Sequence, residues 1–234
     1  HGPLGALYPT NTTHWQKEGD TPTFLYLVPT GMNDPEQPTW GSWAGRYGRR
    51  EDAAGKPYFW ANQFDGWNGV TNRDNTLARW AAHLQNDFRA RLDWCVKPLK
   101  EANHPPRVAV NGSQGTDILF LHAKAGSELK LNADASGDPD GHRLHFDWFQ
   151  YPEPGTYRGH LQVAGGNTAN ATVPVPKHAA GRTFHVVVAA TDEGQPPLTR
   201  YRRAVVEVSD ADSIARTIAP YFQPPAEYAN EFGK

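Results

Sequence analysis

Short apolar runs separated by turn residues fill the chain from position 107 to position 210, and they limit its fold more than any other feature. Clusters of Gly, Asp and Pro divide these runs, which are rich in strand-forming residues. Apolar and polar residues alternate in LHFDWFQ (144–150) and RAVVEV (203–208), which indicates strands with one face toward solvent. The spacing is typical of two antiparallel sheets packed face to face, so it predicts an antiparallel β-sandwich.

The sequence changes character at NHPP (103–106), where two prolines favour an extended linker over a helix. Ahead of this point the chain is rich in Trp and has helical patterns. We therefore expect a helical, Trp-rich segment at 1–104, the sandwich at 105–210 and a tail at 211–234 that contains a short helix. The expected fold class is α+β.

Two stretches carry the helical prediction. NTLARWAAHLQNDFRARLDWCV (75–96) repeats apolar residues at helical spacing, which predicts an amphipathic helix with Cys95 buried in its apolar stripe. Thr21 and Pro22 form a start signal for a second helix. The run that follows, 24–28, is apolar on every side and is expected to be buried; the start signal favours a helix there over a strand.

Composition excludes several classes of function. Lys and Arg number 23 against 25 Asp and Glu, so no basic surface large enough for nucleic acid is expected. No apolar run approaches the roughly 20 residues that cross a membrane as a helix. A single cysteine allows no internal disulfide framework. N-glycosylation sequons at Asn11, Asn111 and Asn170 favour a glycoprotein that is secreted or periplasmic.

Aromatic residues concentrate in a loop-like stretch between positions 38 and 69, together with Gly, Pro and Asn. A long ordered loop is often functional, and an indole ring can stack on the apolar face of a sugar ring. The alternative is a loop that covers the core and is held by buried indoles. The candidate ligand-binding residues are Trp40, Trp43, Arg46, Tyr47, Trp60 and Trp67.

The stretch DASGDPDGHRLHFDWFQY (134–151) resembles the turn and strand of polycystic-kidney-disease-type and cadherin-like immunoglobulin sandwiches. Aspartates in the turn satisfy backbone amides, and Trp148 fills the core of such a sandwich. Asp138 and Asp140, with Asp134 nearby, are also candidate Ca²⁺ ligands, because Ca²⁺ prefers oxygen donors. Turn chemistry alone is the competing interpretation.

Motifs along the whole chain resemble one family of cellulose-binding proteins, which carry a nucleoside-hydrolase-like domain followed by an immunoglobulin-like C-terminal domain. The motifs are HGPLGALYP (1–9), EGDTPTFLYLVPTGMNDPEQPTWGSWAGRYG (18–48), NDFRARLDWCV (86–96), NHPP (103–106), DPDG (138–141) and LTRYRR (198–203). The resemblance implies that a nucleoside-hydrolase-like part precedes His1 and is a partner of this chain. It further implies that Asp20 completes a Ca²⁺ site, with Gly19 where the family usually has His.

Asp20 also has an interpretation that is independent of the family. A carboxylate just ahead of a helix start is favoured by the free amides and the helix dipole. Glu18 lies two residues away, and two neighbouring carboxylates can perform the acid–base chemistry of glycosidases. Glu18 and Asp20 are therefore the candidate catalytic residues.

These observations predict a carbohydrate-active or carbohydrate-binding protein. The leading hypothesis is part of a secreted glycoside-hydrolase-like enzyme that acts on or binds a cellulose-like polysaccharide. The alternatives are a non-catalytic β-sandwich module for carbohydrate binding, or a structural spacer. A further alternative is a copper-dependent oxidase that chelates copper through His1 and a second histidine, for which the candidates are His14, His83 and His104.

Overall fold

Strands outnumber helices in the described part of the chain, residues 24–51 and 54–210 of a computed structural model. The strands and helices are β1 (Tyr47–Glu51), β2 (Pro57–Asn62), β3 (Asp65–Trp67), β4 (Val70–Asn72), α1 (Asn75–Ala78), α2 (Ala81–Val96), β5 (Leu119–Lys124), β6 (Glu128–Asn132), β7 (Leu144–Tyr151), β8 (Asn170–Pro174), β9 (Thr183–Asp192) and β10 (Thr199–Ser209). Short 3-10 helices lie at Pro38–Trp40, Leu99–Glu101 and Lys177–Ala179.

Two sheets share one core in the second half of the chain. The larger sheet has the order β5-β10-β9-β7 and the smaller one pairs β6 with β8. Neighbouring strands are antiparallel except β5 and β10, which run parallel. Trp148, Leu131 and Phe184 lie in the shared core, and the Trp148 indole nitrogen donates to the Thr168 carbonyl at 2.9 Å. The arrangement is a β-sandwich that includes one parallel pair.

The central strands β9 and β10 are buried on both faces, which explains the unbroken apolar run VVVAA (186–190) in β9. Phe184, Val186 and Val188 face the sandwich core. Val187 and Tyr201 face the other way and pack against residues from the first half of the chain. That outer layer, residues 24–51 and 54–104, is called the cover below.

The cover is joined to the sheet by backbone hydrogen bonds as well as by side chains. The amides of Tyr201 and Arg203 donate to the carbonyls of Thr30 and Gly31 at 2.8 and 3.0 Å. They do so on the edge of β10 that β5 occupies further along, from Ala204 onward. Gly31 has φ +87°, and a Cβ there would collide with the Tyr201 carbonyl, so the close approach requires glycine.

The predicted fold class is wrong for the first half of the chain, because the Trp-rich stretch is not helical. It forms two antiparallel hairpins, β1–β2 and β3–β4. Asn68 and Gly69 both have positive φ and form the two-residue turn between Trp67 and Val70, a turn that favours hairpins over helices. Helical structure does occur at 75–96, where the amphipathic pattern predicts it. The domain boundary between 104 and 105 stays a prediction.

The predicted burial of two apolar stretches is also wrong. Cys95 is an exposed free thiol, and Phe88 and Leu92 are each about half exposed on the same helix. One side of α2 packs on the sheet, through Leu84, the buried Ala90 and an ion pair of 2.8 Å between Asp87 and Arg200 on β10, and the opposite side is exposed. In the run 24–28, the chain makes a helical turn and then bends, with Phe24 and Leu27 largely exposed. The Thr21–Pro22 start signal and the helix predicted in the tail lie outside the described residues.

None of the described helices combines the length and the apolar character that crossing a membrane requires.

Candidate functional site

The two small hairpins of the cover present large apolar side chains to solvent. Trp60, Phe64 and Trp67 are 46%, 52% and 38% exposed, and Val70 is also exposed. Trp67 and Val70 are directly paired across the β3–β4 hairpin, so their side chains lie on one face of it. We call Trp60, Phe64, Trp67 and Val70 the hairpin surface.

Two guanidinium groups lie against the rings of the hairpin surface. The Arg49 guanidinium is 5.3 Å from the centre of the Trp60 ring, in the cross-strand position that the β1–β2 register dictates. The Arg73 guanidinium is 5.7 Å from the centre of the Phe64 ring. Aromatic faces suit the apolar C–H side of a sugar ring, and guanidinium N–H groups can donate to its hydroxyls. The hairpin surface thus combines the two kinds of group that bind a carbohydrate.

A buried carboxylate holds these hairpins on the sandwich. Asp65 is fully buried at the start of β3. One of its oxygens accepts from Arg46 Nε at 2.7 Å and the other from the Tyr151 hydroxyl at 2.6 Å. Arg79 Nη1 lies 3.6 Å from the second oxygen. Because charged groups on the cover and a hydroxyl on β7 satisfy the same carboxylate, the hairpins are fixed relative to the sheet.

Two arginines flank Tyr151 and extend this network. The guanidinium of Arg79 lies 4.4 Å from the Tyr151 ring centre, and that of Arg203 lies 5.2 Å from it. Arg203 is completely buried and donates to the carbonyls of Trp40 and Gly41 at 2.8 and 2.7 Å. Burial lowers the Arg203 pKa to about 10, so this side chain stays charged at neutral pH. The burial of Tyr151, reinforced by Asp65, raises the pKa of its hydroxyl.

A second buried cluster joins the cover to β10. Trp43 Nε1 donates to the Tyr201 hydroxyl at 3.1 Å, and His83 Nδ1 is hydrogen-bonded to the same hydroxyl. Burial lowers the pKa of His83 and raises that of Tyr201, which keeps both groups neutral. Their contacts serve to hold the cover in place, since every named group already has a protein partner.

The structure separates the six predicted ligand-binding residues into two groups. Trp40 and Trp43 are buried, so they belong to the interface between cover and sheet. Arg46 binds Asp65, and Tyr47 packs half-buried with its ring centre 6.0 Å from that of Tyr26. Trp60 and Trp67 are the members that reach solvent.

Several residues that complete this surface were not among the predicted ligand-binding residues. Phe64 and Val70 carry a usable signal, because apolar residues on both sides of Asn68-Gly69 indicate a hairpin with an apolar face. Arg49 and Arg73 have no comparable signal, because the aromatic ring that each guanidinium contacts is known only from the folded structure.

A second cluster of polar groups lies in the turn ahead of β7. Asp138 Oδ1 accepts from the amides of Asp140 and His142, each at 3.0 Å. Asp140 accepts from the His104 amide at 2.6 Å and lies 3.0 Å from His104 Nδ1. Burial acts to raise the Asp140 pKa, but the hydrogen bonds from His104 outweigh it and the pKa is lowered. Asp134 does not join this cluster.

Asp134 instead binds asparagines of the smaller sheet. Its carboxylate accepts from Asn132 Nδ2 at 2.5 Å and from Asn170 Nδ2 at 3.1 Å. Asn111 Oδ1 accepts from the Asn132 amide at 2.9 Å, so two sequon asparagines meet around one residue. Asn111 and Asn170 are both exposed, and their glycosylation stays a prediction, as does Ca²⁺ binding at Asp138 and Asp140.

The remaining predicted site residues lie outside the described part of the chain. These are Glu18 and Asp20 as catalytic or calcium-binding residues, Asn11 as a sequon, and His1 and His14 as copper ligands. The other two copper candidates make separate contacts, His83 with Tyr201 and His104 with Asp140.

Sequence profiles of known families match both halves of the chain. Residues 128–208 match "Cellulose-binding protein Sde0182, C-terminal domain", and residues 1–47 match "Cellulose-binding Sde182, nucleoside hydrolase-like domain". Both matches are to domains of one family, so the chain is similar to the Sde0182 family in two separate segments. The two matches follow the domain order that the sequence motifs predict. No curated protein sequence matches the chain.

A solved structure supports the same relationship. It is a nucleoside hydrolase-related hypothetical protein from Saccharophagus degradans that is associated with carbohydrate metabolism, with 33% sequence identity and a TM-score of 0.72. The match covers 88% of this chain and 51% of that protein, so the chain spans about half the length of this solved relative.

Two more distant structures also match. The PKD domain from the KIAA 1837 protein has 16% identity and a TM-score of 0.31, with 43% of this chain and 87% of that domain covered. Mouse cadherin-23 EC22-24 has 16% identity and a TM-score of 0.33, with 45% and 33% covered.

Proposed function

We propose that this chain binds a cellulose-like polysaccharide through the hairpin surface. The observation that carries the proposal is the exposure of Trp60, Phe64 and Trp67 within one short stretch of two hairpins. Large aromatic side chains are normally buried, so several exposed together mark a binding surface. The family whose domain profiles match the chain is named for cellulose binding, and the similar solved structure is associated with carbohydrate metabolism.

The rigidity of the hairpins supports binding rather than accidental exposure. Asp65 is fixed by Arg46 and Tyr151 directly beneath the hairpin surface. A surface that is already ordered loses little conformational entropy when a ligand binds, which favours affinity. The guanidinium groups of Arg49 and Arg73 add hydrogen-bond donors beside the rings, as sugar hydroxyls require.

A secreted or periplasmic location is part of this proposal, since polysaccharide of this kind lies outside the cell. The exposed sequon residues Asn111 and Asn170 are compatible with a secretory route.

Titration with cello-oligosaccharides, followed by tryptophan fluorescence, tests the proposal. We expect a saturable change in the emission of the wild-type chain, because Trp60 and Trp67 exchange water for a sugar face. Trp67→Ala should reduce both the amplitude and the affinity. Phe88→Ala, which removes a half-exposed ring from α2 instead, should leave the titration unchanged. An emission spectrum that does not respond to any cello-oligosaccharide would contradict the proposal.

A second candidate function is catalytic: the chain completes a glycoside-hydrolase-like site together with a nucleoside-hydrolase-like domain. The observation that favours it is the apolar face of α2, where Phe88, Leu92 and Val96 are 50%, 46% and 81% exposed. A surface of this kind is typical of an interface. The first 47 residues match the nucleoside-hydrolase-like domain of the family, which supports a nucleoside-hydrolase-like domain as the partner that this face would contact.

Separate expression of a nucleoside-hydrolase-like domain from the family tests this second candidate. We expect it to associate with the chain, and Leu92→Asp to abolish the association while leaving cello-oligosaccharide binding intact. Hydrolysis of a glycoside only in the mixture would support a shared site. Sugar binding without any turnover in the mixture would leave the binding function standing and overturn the catalytic one.

A further inference from the structure

We propose that Asp138, Asp140 and His142 hold a divalent transition-metal ion of the zinc class in the turn ahead of β7. One ligand atom from each of the three side chains lies within 4.8 Å of the others. The set combines two carboxylates with an imidazole from five consecutive positions, 138–142. Zn²⁺ is commonly held by such nitrogen and oxygen ligands.

Two atoms of this cluster are buried without a hydrogen-bond partner among the described residues. The Asp138 side chain is 0% exposed, and its Oδ2 finds no donor among the described residues. His142 Nδ1 is likewise buried and makes no hydrogen bond there, although it lies near Asp138 Oδ1. Unsatisfied buried polar atoms are costly, and two on neighbouring side chains of one turn point to a ligand that satisfies both.

The spacing of the ligand atoms also suits a metal ion. Asp138 Oδ1 lies 3.2 Å from His142 Nδ1. Two ligands that are each about 2.1 Å from a tetrahedral ion are roughly 3.4 Å apart, so this pair already has nearly the required separation. The 4.8 Å limit on the full set leaves a closing movement of at most about 1.4 Å, which the exposed side chain of Asp140 can make.

Residues next to the cluster hold the carboxylate of Asp140 in position. The amide of His104 donates to Asp140 at 2.6 Å, and His104 Nδ1 lies 3.0 Å from the same carboxylate. The His104 ring is stacked on Trp94, with 6.1 Å between ring centres. Hydrogen-bonded partners of this kind orient metal-binding carboxylates. A metal in this position would therefore join the start of the sandwich, through His104, to the turn ahead of β7.

The imidazole distinguishes this site from a calcium site. Ca²⁺ is bound by six to eight oxygen atoms, whereas imidazole nitrogen suits Zn²⁺ and related transition metals. A calcium site at the same carboxylates would leave His142 Nδ1 without a role.

Titration of the full chain with Zn²⁺, and separately with Co²⁺ and Ca²⁺, tests the assignment by calorimetry and, for Co²⁺, by visible absorption. We expect saturable Zn²⁺ binding that His142→Ala and Asp138→Asn each weaken by at least about tenfold. Asp138→Asn keeps the Oδ1 acceptor of the turn, so it should remain folded. His145→Ala is the matched control, because His145 is an exposed histidine three residues away that pairs with Glu193.

Zn²⁺ that binds to other residues of the chain also binds to His142→Ala. The difference between the wild-type and His142→Ala titrations therefore measures binding at the proposed site alone. The assignment is overturned if wild-type and His142→Ala proteins bind Zn²⁺ equally, if His145→Ala weakens binding as much as His142→Ala, or if Ca²⁺ binds at these residues and Zn²⁺ does not. Circular dichroism in the presence of a chelator verifies that each variant is folded before the comparison is made.

Discussion

The hydroxyl of Tyr151 donates a hydrogen bond to the buried carboxylate of Asp65 at 2.6 Å, and this contact joins the sandwich to its cover. Tyr151 is the last residue of β7, and Asp65 is the first residue of β3. The two residues are 86 positions apart, so the contact forms only when both halves of the chain have folded together.

Replacing Tyr151 with Phe should therefore loosen the cover. The variant leaves Asp65 buried and short of one donor, which we expect to lower the free energy of unfolding by about 1–3 kcal/mol. Chemical denaturation measures the change, and limited proteolysis should show faster cleavage within the hairpins.

Tyr157→Phe provides the comparison. Tyr157 is also buried, but its hydroxyl bonds to the imidazole of His178 at 3.0 Å rather than to a carboxylate. We expect a loss of about 1 kcal/mol and no change in cleavage of the hairpins. Equal behaviour of the two variants would show that the Asp65 contact does not anchor the cover.

His185 should make stability depend on pH. Burial, reinforced by the nearby Arg203 guanidinium, lowers the pKa of this histidine well below its usual value. Below a pH of about 6.5 the unfolded chain binds a proton at His185 that the folded chain does not, so stability falls as the pH falls. The slope is up to about 1.4 kcal/mol per pH unit for one such group, and the buried His83 acts in the same direction.

Denaturation curves of His185→Gln between pH 5 and pH 8 (roughly the range in which histidine titrates) measure this contribution. We expect a shallower dependence on pH than in the wild type, whatever the absolute stability. His160→Gln, at an exposed position, should keep the wild-type slope. An unchanged slope in His185→Gln would contradict the account.

Cys95 offers a direct probe of the α2 face. Its thiol is exposed and free, so it should react with one equivalent of a thiol reagent in the native chain, without denaturant. If a nucleoside-hydrolase-like domain docks on this face, its addition should slow the reaction. A thiol that reacts only after unfolding would show that α2 is covered by something else.

The sandwich was the most predictable part of the fold. Alternation of apolar and polar residues along β7 and β10 indicates strands. A strand that is apolar at consecutive positions is buried on both faces, so the run VVVAA (186–190) in β9 indicates that a second layer covers the sheet. Helix α2 also follows from its spacing. The hairpins were missed because the stretch 38–69 was expected to be a loop within a helical segment, whereas turns such as Asn68-Gly69 favour strands.

Exposure within the site could not be predicted from local sequence. Trp43 and Trp67 have similar neighbours rich in Gly, yet Trp43 is buried because its indole bonds to Tyr201, 158 positions away. The burial predicted for Cys95 was based on the apolar stripe of the helix. Such a stripe indicates that the helix packs against an apolar surface, but it does not indicate whether that surface belongs to the same chain or to another molecule.

The central claim, polysaccharide binding by the hairpin surface, is tested most directly by depletion of the protein from solution by insoluble cellulose. The decisive variant is Trp60→Ala/Trp67→Ala, with Phe88→Ala as the matched control. An aromatic contact is worth about 0.5–1.5 kcal/mol. Loss of two should therefore weaken binding by roughly fivefold to a hundredfold, whereas the control should bind as the wild type does. Equal depletion of the double variant and the wild type would contradict the account.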